Sequence, residues 1–363
     1  MEGIPMQEDF HYYATYCAAF LAGYSHEQSL AICSSAQFVD CCSRSFLQSV
    51  HAPLSAAATQ LQLELMNSRM DNVSLRNITG IWAAFHFLPF DLYAMVPGAS
   101  SSYRNKYRLI CDTNGDLLVN TVLLAKDHSL QAAGIAMHVL ADTWAHRYFA
   151  GTPSLVINNT DFNCYELIPD GGTYREQRIR WRHNVSAPDD PQHCTYSCTM
   201  FQGTERSIMN LGHGRAGHLP DYSYARYRYL PAWGNYAEVT KDNPSDYWHA
   251  FCQMIYALEF LRGQHDVFEK DTYSFQTAAP YQNEILSILE RRQLNACTEW
   301  KALGEQLSGC EIPDFCLEDW SREYTAAAPS DKEATALGRF IPAAIRHKKM
   351  VTDAIRQSGN NLV

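Results

Sequence analysis

Three side chains that can bind metal ions recur at a four-residue interval near the middle of the chain. His138, Asp142 and His146 occupy positions i, i+4 and i+8, so on an α-helix successive members are offset by about 40° and form one narrow stripe. The Cα atoms of His138 and His146 would then be roughly 12 Å apart, too far for one ion to bind both comfortably. This spacing predicts two ions with Asp142 between them. The alternative is a buried helix on which the three polar groups satisfy one another.

The helix that must carry this stripe is indicated by the residues at its ends. Asp127 or Ser129 can cap its start, and Gly151 followed by Pro153 can end it. Between them lie residues that favour helices. The sequence therefore predicts one helix over about 127–151.

Most of the remaining chain also has helical periodicity, with one exception. Helices are predicted over the ranges 10–22, 25–43, 55–70, 246–263, 282–307 and 332–357. Residues 152–204 are instead interrupted by Asn, Gly and Pro, which indicates an irregular or small β insertion. We expect an all-α, multi-helix bundle around a metal site in a single domain, 1–363. Its metal-site core would span 7–262, and a C-terminal helical extension would span 263–363.

Further histidines and acids along the chain are candidates to complete the site. They are His11 in the first predicted helix, Asp40 near the end of the second, a middle histidine that is either His51 or His86, and His213 and His218 in the glycine-rich segment LGHGRAGHLPDYS. Glycines there allow close approach of the backbone, which favours a binding site over packing. Asp221 belongs to the same segment, and its role stays open.

Asp40 needs a positive partner because the C-terminal end of a helix disfavours a carboxylate. Arg44, four residues on, is one candidate. A metal cation is the other, and it would leave Arg44 available to face a substrate oxygen. The sequence alone does not decide between them.

Composition limits the classes of protein to consider. The chain is 46% hydrophobic and 12% aromatic, which suits a large folded core. Its formal net charge of −10 argues against binding of duplex nucleic acid. We find no apolar run long enough for a transmembrane segment, no signal peptide in MEGIPMQEDFHYY and no CxxC pair among the 12 cysteines. These features predict a cytoplasmic protein with reduced thiols.

Several short motifs resemble known families. FHYY near the start, ADTWAH and GHGRAGHLPDYS are similar to a bacterial family of unknown function over most of residues 7–262. More distantly, the order of the candidate ligands resembles the superfamily of zinc-dependent phospholipase C and single-strand-specific nucleases. That resemblance implies a helical protein that hydrolyses phosphodiesters at a trinuclear zinc cluster.

The resemblance also implies a ligand assignment. Asp40, His138, Asp142 and the middle histidine, His51 or His86, would hold the first ion, and His146 with His213 or His218 the second. His11 corresponds to a ligand of the third ion. The superfamily completes that third ion with an N-terminal Trp after a signal peptide, which this sequence lacks. The gap between Asp142 and His146 is also shorter than in the hydrolases. Two or three ions are therefore expected.

Together these observations predict a metal-dependent hydrolase of phosphoester bonds. Zinc is the first expectation, while iron and manganese also suit His and carboxylate ligands. Asp40 would orient the attacking water, and Arg44 would stabilise negative charge that develops on the phosphoryl oxygens. The expected substrate is a small-molecule or lipid-headgroup phosphoester.

Two other classes of function stay open. One is a metal-dependent amidase or peptidase, or a di-metal oxidative enzyme, although the sequence has no HExxH motif. The other is a non-catalytic helical scaffold with a structural metal. Neither the substrate nor the oligomeric state can be read from the sequence.

Overall fold

The structure, a computed structural model, describes residues 8–52, 57–61, 72–160, 163–183 and 187–363. This part of the chain is mainly helical, with small β-sheets. The helix predicted over 55–70 lies largely outside the described residues, and residues 57–61 are not helical. No helix among the described residues combines the length and the apolar character that crossing a membrane requires.

Of the helices before the central one, the first confirms the predicted range, the second begins as predicted but ends early, and the following four in the described part of the chain were not predicted. In chain order the helices are α1, which begins as π-helical Asp9–Ala14 and continues as Thr15–Leu21, α2 (His26–Phe38), α3 (Arg44–Ser49), α4 (Asn72–Phe85), α5 (Ser101–Tyr107) and α6 (Asp116–Ala125). Ser25 and Gln28 form a reciprocal capping box at the start of α2. The second helix ends at Phe38 rather than near residue 43. Asp40 therefore lies in the turn after α2 and not inside it.

The central helix, α7, is Leu130–Ala145 and is buried along nearly its whole length. Ser129 caps it, since its side chain accepts a hydrogen bond from the Ala132 N–H. The prediction that this helix continues to Gly151 is wrong, because the chain turns after His146 and Tyr148 adopts a positive φ of 78°. Gly134 lets α7 approach α2 closely, since a Cβ there would lie 2.4 Å from the Ile32 carbonyl oxygen.

The predicted insertion does contain strands, but its sheet extends beyond residue 204. After the short helix α8 (Leu155–Asn158), the strands are β1 (Tyr165–Asp170), β2 (Thr173–Arg178), β3 (Arg180–Arg182), β4 (Thr195–Ser197), β5 (Arg226–Tyr229) and β6 (Val239–Asp242). An antiparallel sheet has the order β2-β1-β5-β6, and β3 and β4 form a separate parallel pair. The segment that carries His213 and His218 connects β4 to β5, and so links the parallel pair to the antiparallel sheet.

The C-terminal part is helical, as predicted. Its helices are α9 (Asn243–Leu261), α10 (Phe275–Ala278), α11 (Gln282–Glu290), α12 (Cys297–Ser308), α13 (Leu317–Ala326) and α14 (Ala336–Gln357). The range 282–307 is two helices rather than one, because Arg291 takes up extended backbone angles. Helices α9 and α14 both pack against α7, so the carrier of the predicted stripe lies at the centre of the fold.

Candidate metal centre

The carboxylate of Asp142 is surrounded by imidazole rings from three different parts of the chain. Its Oδ2 lies 3.2 Å from His86 Nδ1 and 3.2 Å from His138 Nε2. Its Oδ1 lies 3.2 Å from His11 Nε2. His146 is the fourth imidazole, with Nδ1 3.6 Å from Oδ2. Asp142 therefore lies between His138 and His146, as the four-residue spacing predicts.

Helix geometry explains how two of these groups come together. His138 and Asp142 are one turn apart on α7, so their side chains share a face. His11 enters from the π-helical turn of α1, a geometry that is rare and often found at functional sites. Its ring stacks on that of His138 with centroids 4.0 Å apart. The π-helical turn of α1 thus contributes directly to the central cluster.

A first group of potential ligands consists of Asp40, His86 and His138, whose ligand atoms all lie within 4.8 Å of one another. Asp40 Oδ1 is 3.8 Å from His86 Nδ1 and 4.0 Å from His138 Nε2. These residues come from the turn after α2, the end of α4 and the middle of α7. The carboxylate of Asp40 faces imidazoles, whereas the side chain of Arg44 is exposed at the start of α3.

A second group consists of His146, His213 and Asp221, again within 4.8 Å. Asp221 Oδ1 is 3.2 Å from His146 Nε2 and 3.5 Å from His213 Nε2. Its Oδ2 is 3.3 Å from His218 Nδ1. The side chain of His218 is 36% exposed, whereas those of the other three are below 10%. His218 therefore lies at the solvent edge of this group.

Two glycines allow the loop of the second group to fold against the body. Gly212 has a φ of 53°, and a Cβ there would lie 2.4 Å from Cζ of Phe87. Gly217 has a φ of 54°, and a Cβ there would lie 1.7 Å from the Ser197 carbonyl oxygen. Only glycine combines this backbone conformation with such close contacts. The glycine-rich composition of the segment is thus explained by its folding.

Three of the histidines have one ring nitrogen committed to a backbone carbonyl. His86 Nε2 is 3.1 Å from the Thr59 oxygen, His146 Nδ1 is 2.6 Å from the His86 oxygen, and His213 Nδ1 is 2.7 Å from the Gly217 oxygen. Because a carbonyl only accepts, each of these nitrogens must donate. In a neutral imidazole the other nitrogen then carries a lone pair, and all three of these lone pairs lie next to carboxylate oxygens.

This pairing of lone pairs with carboxylates fits a bound cation. Ligating histidines usually donate their second N–H to a carbonyl or carboxylate, which orients the ring. A tetrahedral ion with ligands at about 2.0–2.1 Å separates its ligand atoms by about 3.3–3.4 Å. The separations of 3.2 Å for His146 and Asp221, 3.5 Å for His213 and Asp221, and 3.2 Å for His86 and Asp142 bracket that value.

One carboxylate oxygen at this centre also lacks a hydrogen bond within the described part of the chain. It is Asp40 Oδ2, which is buried. A buried carboxylate oxygen without a donor is costly, and a cation compensates for that cost. The residues present therefore fit divalent ions held by nitrogen and oxygen ligands.

The carboxyl groups respond to burial and to the neighbouring imidazoles. Burial raises the pKa of Asp142, but His146, His138 and His11 outweigh it and hold that pKa well below its ordinary value. Burial also raises the pKa of Asp221, and there His213 and His146 reverse the direction. The pKa of Asp40 is raised to about 6, because burial and the charges of Asp142 and Asp221 outweigh His11 and His86.

The imidazoles divide into two kinds. Burial lowers the pKa of His138 to about 3 and that of His213 to about 4, so both rings are neutral and able to act as ligands at neutral pH. Burial also opposes protonation of His146, but Asp142 and Asp221 outweigh it and raise its pKa to about 9. Positive charge is therefore favoured between His146 and the two carboxylates.

The structure brings most of the predicted site residues together. His11, Asp40, His86, His138, Asp142, His146 and His213 form one continuous cluster, with His218 at its edge. His51 is exposed, with a φ of 55°, and lies outside these groups. Sequence reasoning left the role of Asp221 open, although its position three residues after His218 was a usable signal. It missed the three backbone carbonyls, which no side-chain pattern reveals.

The fold and the site together define a mainly helical protein with a buried His and Asp cluster suited to divalent cations. Residues 6–355 match the family described as "Family of unknown function (DUF6765)", and the chain belongs to that family. No curated protein and no solved structure matches the chain.

Proposed function

We propose that this protein is a metal-dependent hydrolase of phosphoester bonds. The observation that carries the proposal is the orientation of His86, His146 and His213, whose second ring nitrogens lie 3.2–3.5 Å from carboxylate oxygens. An imidazole lone pair and a carboxylate oxygen at that distance repel each other unless a cation or a proton lies between them. Repeated at three histidines, this arrangement supports a site for more than one ion.

The two groups suggest how two ions would be shared. Asp40, His86 and His138 would hold the first, with Asp142 and His11 adjacent. The second ion would be held by His146, His213 and Asp221, with His218 at the edge. Zinc suits these nitrogen and oxygen ligands, and iron or manganese are compatible with them. A third ion beside His11 would use the group formed by His11, His138 and Asp142.

Phosphoester hydrolysis suits two adjacent cation groups. Paired divalent ions supply a nucleophilic water at neutral pH and stabilise the charge of the phosphoryl oxygens. Asp40 would orient the attacking water through Oδ2, which has no hydrogen bond within the described residues. Arg44, exposed four residues later, would face a non-bridging oxygen of the substrate. The resemblance in ligand order to the phospholipase C and nuclease superfamily favours the same bond type.

Solvent access to the cluster and the net charge of the protein limit the class of substrate. The partly exposed His218 makes that edge of the cluster the natural approach from solvent. A net charge of −10 disfavours long nucleic acid, which binds through many phosphate contacts. A small-molecule phosphoester or a lipid headgroup is the substrate class that we propose, in a protein that acts in the cytoplasm.

Metal analysis followed by an activity assay tests this proposal. Purified protein should contain about two divalent ions per chain and hydrolyse bis-para-nitrophenyl phosphate. A chelator should abolish turnover, and added Zn²⁺ or Mn²⁺ should restore it. His86→Ala should lose turnover, whereas His51→Ala, a matched change at an exposed histidine, should retain it. Turnover that is absent from metal-replete protein, or that resists the chelator, would remove the claim.

A second candidate function is supported by the burial of the cluster. His138 and Asp142 are 0% and 1% exposed, as expected for a cation that stabilises a helical scaffold and takes no part in catalysis. In that case metal-replete protein has no turnover, while removal of the metal lowers the unfolding temperature. The same two measurements therefore separate the two candidates.

A further inference from the structure

The junction between β6 and α9 contacts both halves of the second cation group. This segment, residues 241–247, which we call the clamp, contains no ligand. Four of its side chains are nevertheless buried and polar: Lys241, Asn243, Asp246 and Tyr247. Buried polar groups persist where their hydrogen bonds are satisfied, so their partners indicate what the clamp does.

One end of the clamp holds the end of the central helix. Lys241 Nζ donates a hydrogen bond of 2.7 Å to the Trp144 carbonyl oxygen and also pairs with Asp246. Trp144 O is among the last four carbonyls of α7, which have no partner within the helix. A lysine ammonium there satisfies the carbonyl and complements the helix dipole. Arg147 Nη1 donates to Asp246 Oδ1 over 3.1 Å and ties the residue after His146 to the same network.

The other end of the clamp holds the loop that carries Asp221. Asn243 Nδ2 lies 3.3, 3.1 and 2.9 Å from the carbonyl oxygens of Leu219, Pro220 and Tyr222, on both sides of that residue. The Tyr247 hydroxyl donates to the Asp221 carbonyl oxygen over 3.0 Å. The backbone of Asp221 is therefore fixed by two side chains of the clamp.

We infer that the clamp sets the spacing between His146 and Asp221 and so makes the second group able to bind a cation. Asn243 and Tyr247 act as positioning residues for the aspartate, and Lys241 acts as one for the histidine. In the first group, Asp40 and His86 have their contacts with each other, with α7 and with Thr59, and none of these contacts is with the clamp. This inference rests on the proposed cation sites, and it predicts that damage to the clamp affects one ion selectively.

The test is a titration of the full-length protein with Co²⁺, followed by its visible absorption spectrum. Wild-type protein should bind two ions. His213→Ala removes a ligand of the second group, so its spectrum should be that of Co²⁺ bound at the first group alone. Asn243→Ala should weaken binding of the second ion by about 10–100-fold, the usual effect of losing a group that orients a ligand. At low Co²⁺ the spectrum of this variant should therefore match that of His213→Ala. Asn360→Ala is the matched control, because Asn360 is also buried and donates to a backbone carbonyl, that of Asn105, which belongs to neither group.

A milder variant covers the case in which Asn243→Ala does not fold. Tyr247→Phe keeps the buried ring and removes only the hydroxyl, so it should weaken the same ion by a smaller factor. Unchanged binding of the second ion in the folded variants, or equal weakening of both ions, would overturn the inference while leaving the proposed function intact. A wild-type protein that binds no Co²⁺ would instead remove both.

Discussion

The two cation groups use the same ligand types but are supported in different ways. The first takes Asp40, His86 and His138 from turns and helices of the main body. The second takes His146 from the end of α7. Its other two residues, His213 and Asp221, come from short 3₁₀ turns in the connection between β4 and β5. A helix orients its side chains through its own hydrogen bonds, whereas these turns depend on contacts with other elements. The second group should therefore be the more sensitive to distant substitutions.

The two groups also differ in solvent exposure and in the pKa of one histidine of each group. His138 is 0% exposed and its pKa is lowered to about 3, because burial dominates. The second group has His218 at its edge with a side chain 36% exposed, and its His146 has a pKa raised to about 9. If both groups bind ions as proposed, the exposure of His218 would make the second ion the one that exchanges with solvent and meets the substrate.

The largest effect is expected at the residue that both groups approach. Asp142→Asn keeps the size of the side chain but removes the charge beside His11, His86, His138 and His146. Both ions should be lost, and hydrolysis of bis-para-nitrophenyl phosphate should fall below detection. Metal content by mass spectrometry measures this directly. A variant that retained both ions would contradict the central position given to Asp142.

The next substitutions separate the two groups. His86→Ala and His213→Ala each remove one ligand from one group only, so each protein should retain one ion instead of two. Metal analysis after dialysis should show this loss, and turnover should be lost in both variants because the reaction needs both ions. His51→Ala should behave as wild type. Loss of both ions in either variant would mean that the groups do not bind independently.

Gly217→Ala tests the dependence of the second group on its backbone. The residue has a φ of 54°, and a Cβ would meet the Ser197 carbonyl oxygen, so we expect a loss of more than about 1 kcal/mol in unfolding free energy. The second ion should also bind more weakly. Gly203→Ala is the matched control, since its Cβ would have no neighbour closer than 3.9 Å. Chemical denaturation and Co²⁺ titration measure the two effects, and equal behaviour of the two variants would contradict the account.

The smallest expected effect is a pH dependence of the affinity for the second ion. The pKa of His146 is raised from 6.5 to about 9, so within this range a cation must displace a proton, and its affinity should rise about tenfold per pH unit. Stability of the cation-free protein has the opposite sign. A raised pKa contributes stability below pH 6.5 that is lost as the pH rises through about 9. Competition with a chromophoric chelator at several pH values checks the first part, and a flat profile for the second ion would refute it.

Local signals in the sequence were enough for the start of several helices and for the members of the site that lie on the central helix. The capping box at Ser25 and Gln28 and the one-turn spacing of His138 and Asp142 both depend on residues a few positions apart. Such patterns are governed by interactions within one helix, which the sequence displays directly. The predicted range of the central helix is nevertheless too long. The chain turns at Tyr148, where no residue type indicates a turn, so the turn depends on packing.

The choice of the middle histidine shows what local patterns do not contain. His51 and His86 were equal candidates by order along the chain. In the structure His86 lies 3.2 Å from a carboxylate 56 residues away, whereas His51 is exposed. His86 and Asp142 come together because α4 packs against α7.

By itself the sequence determined a mainly helical protein, the residue types of a cation site and the helix on which its central members lie. These follow from side-chain chemistry and from the 3.6-residue period, which act over short stretches. Tertiary structure alone decided that Asp221 joins His146 across 75 residues, that backbone carbonyls select the ring nitrogens that face the carboxylates, and that the clamp holds both sides together. These features depend on distances between remote segments, which exist only once the chain has packed.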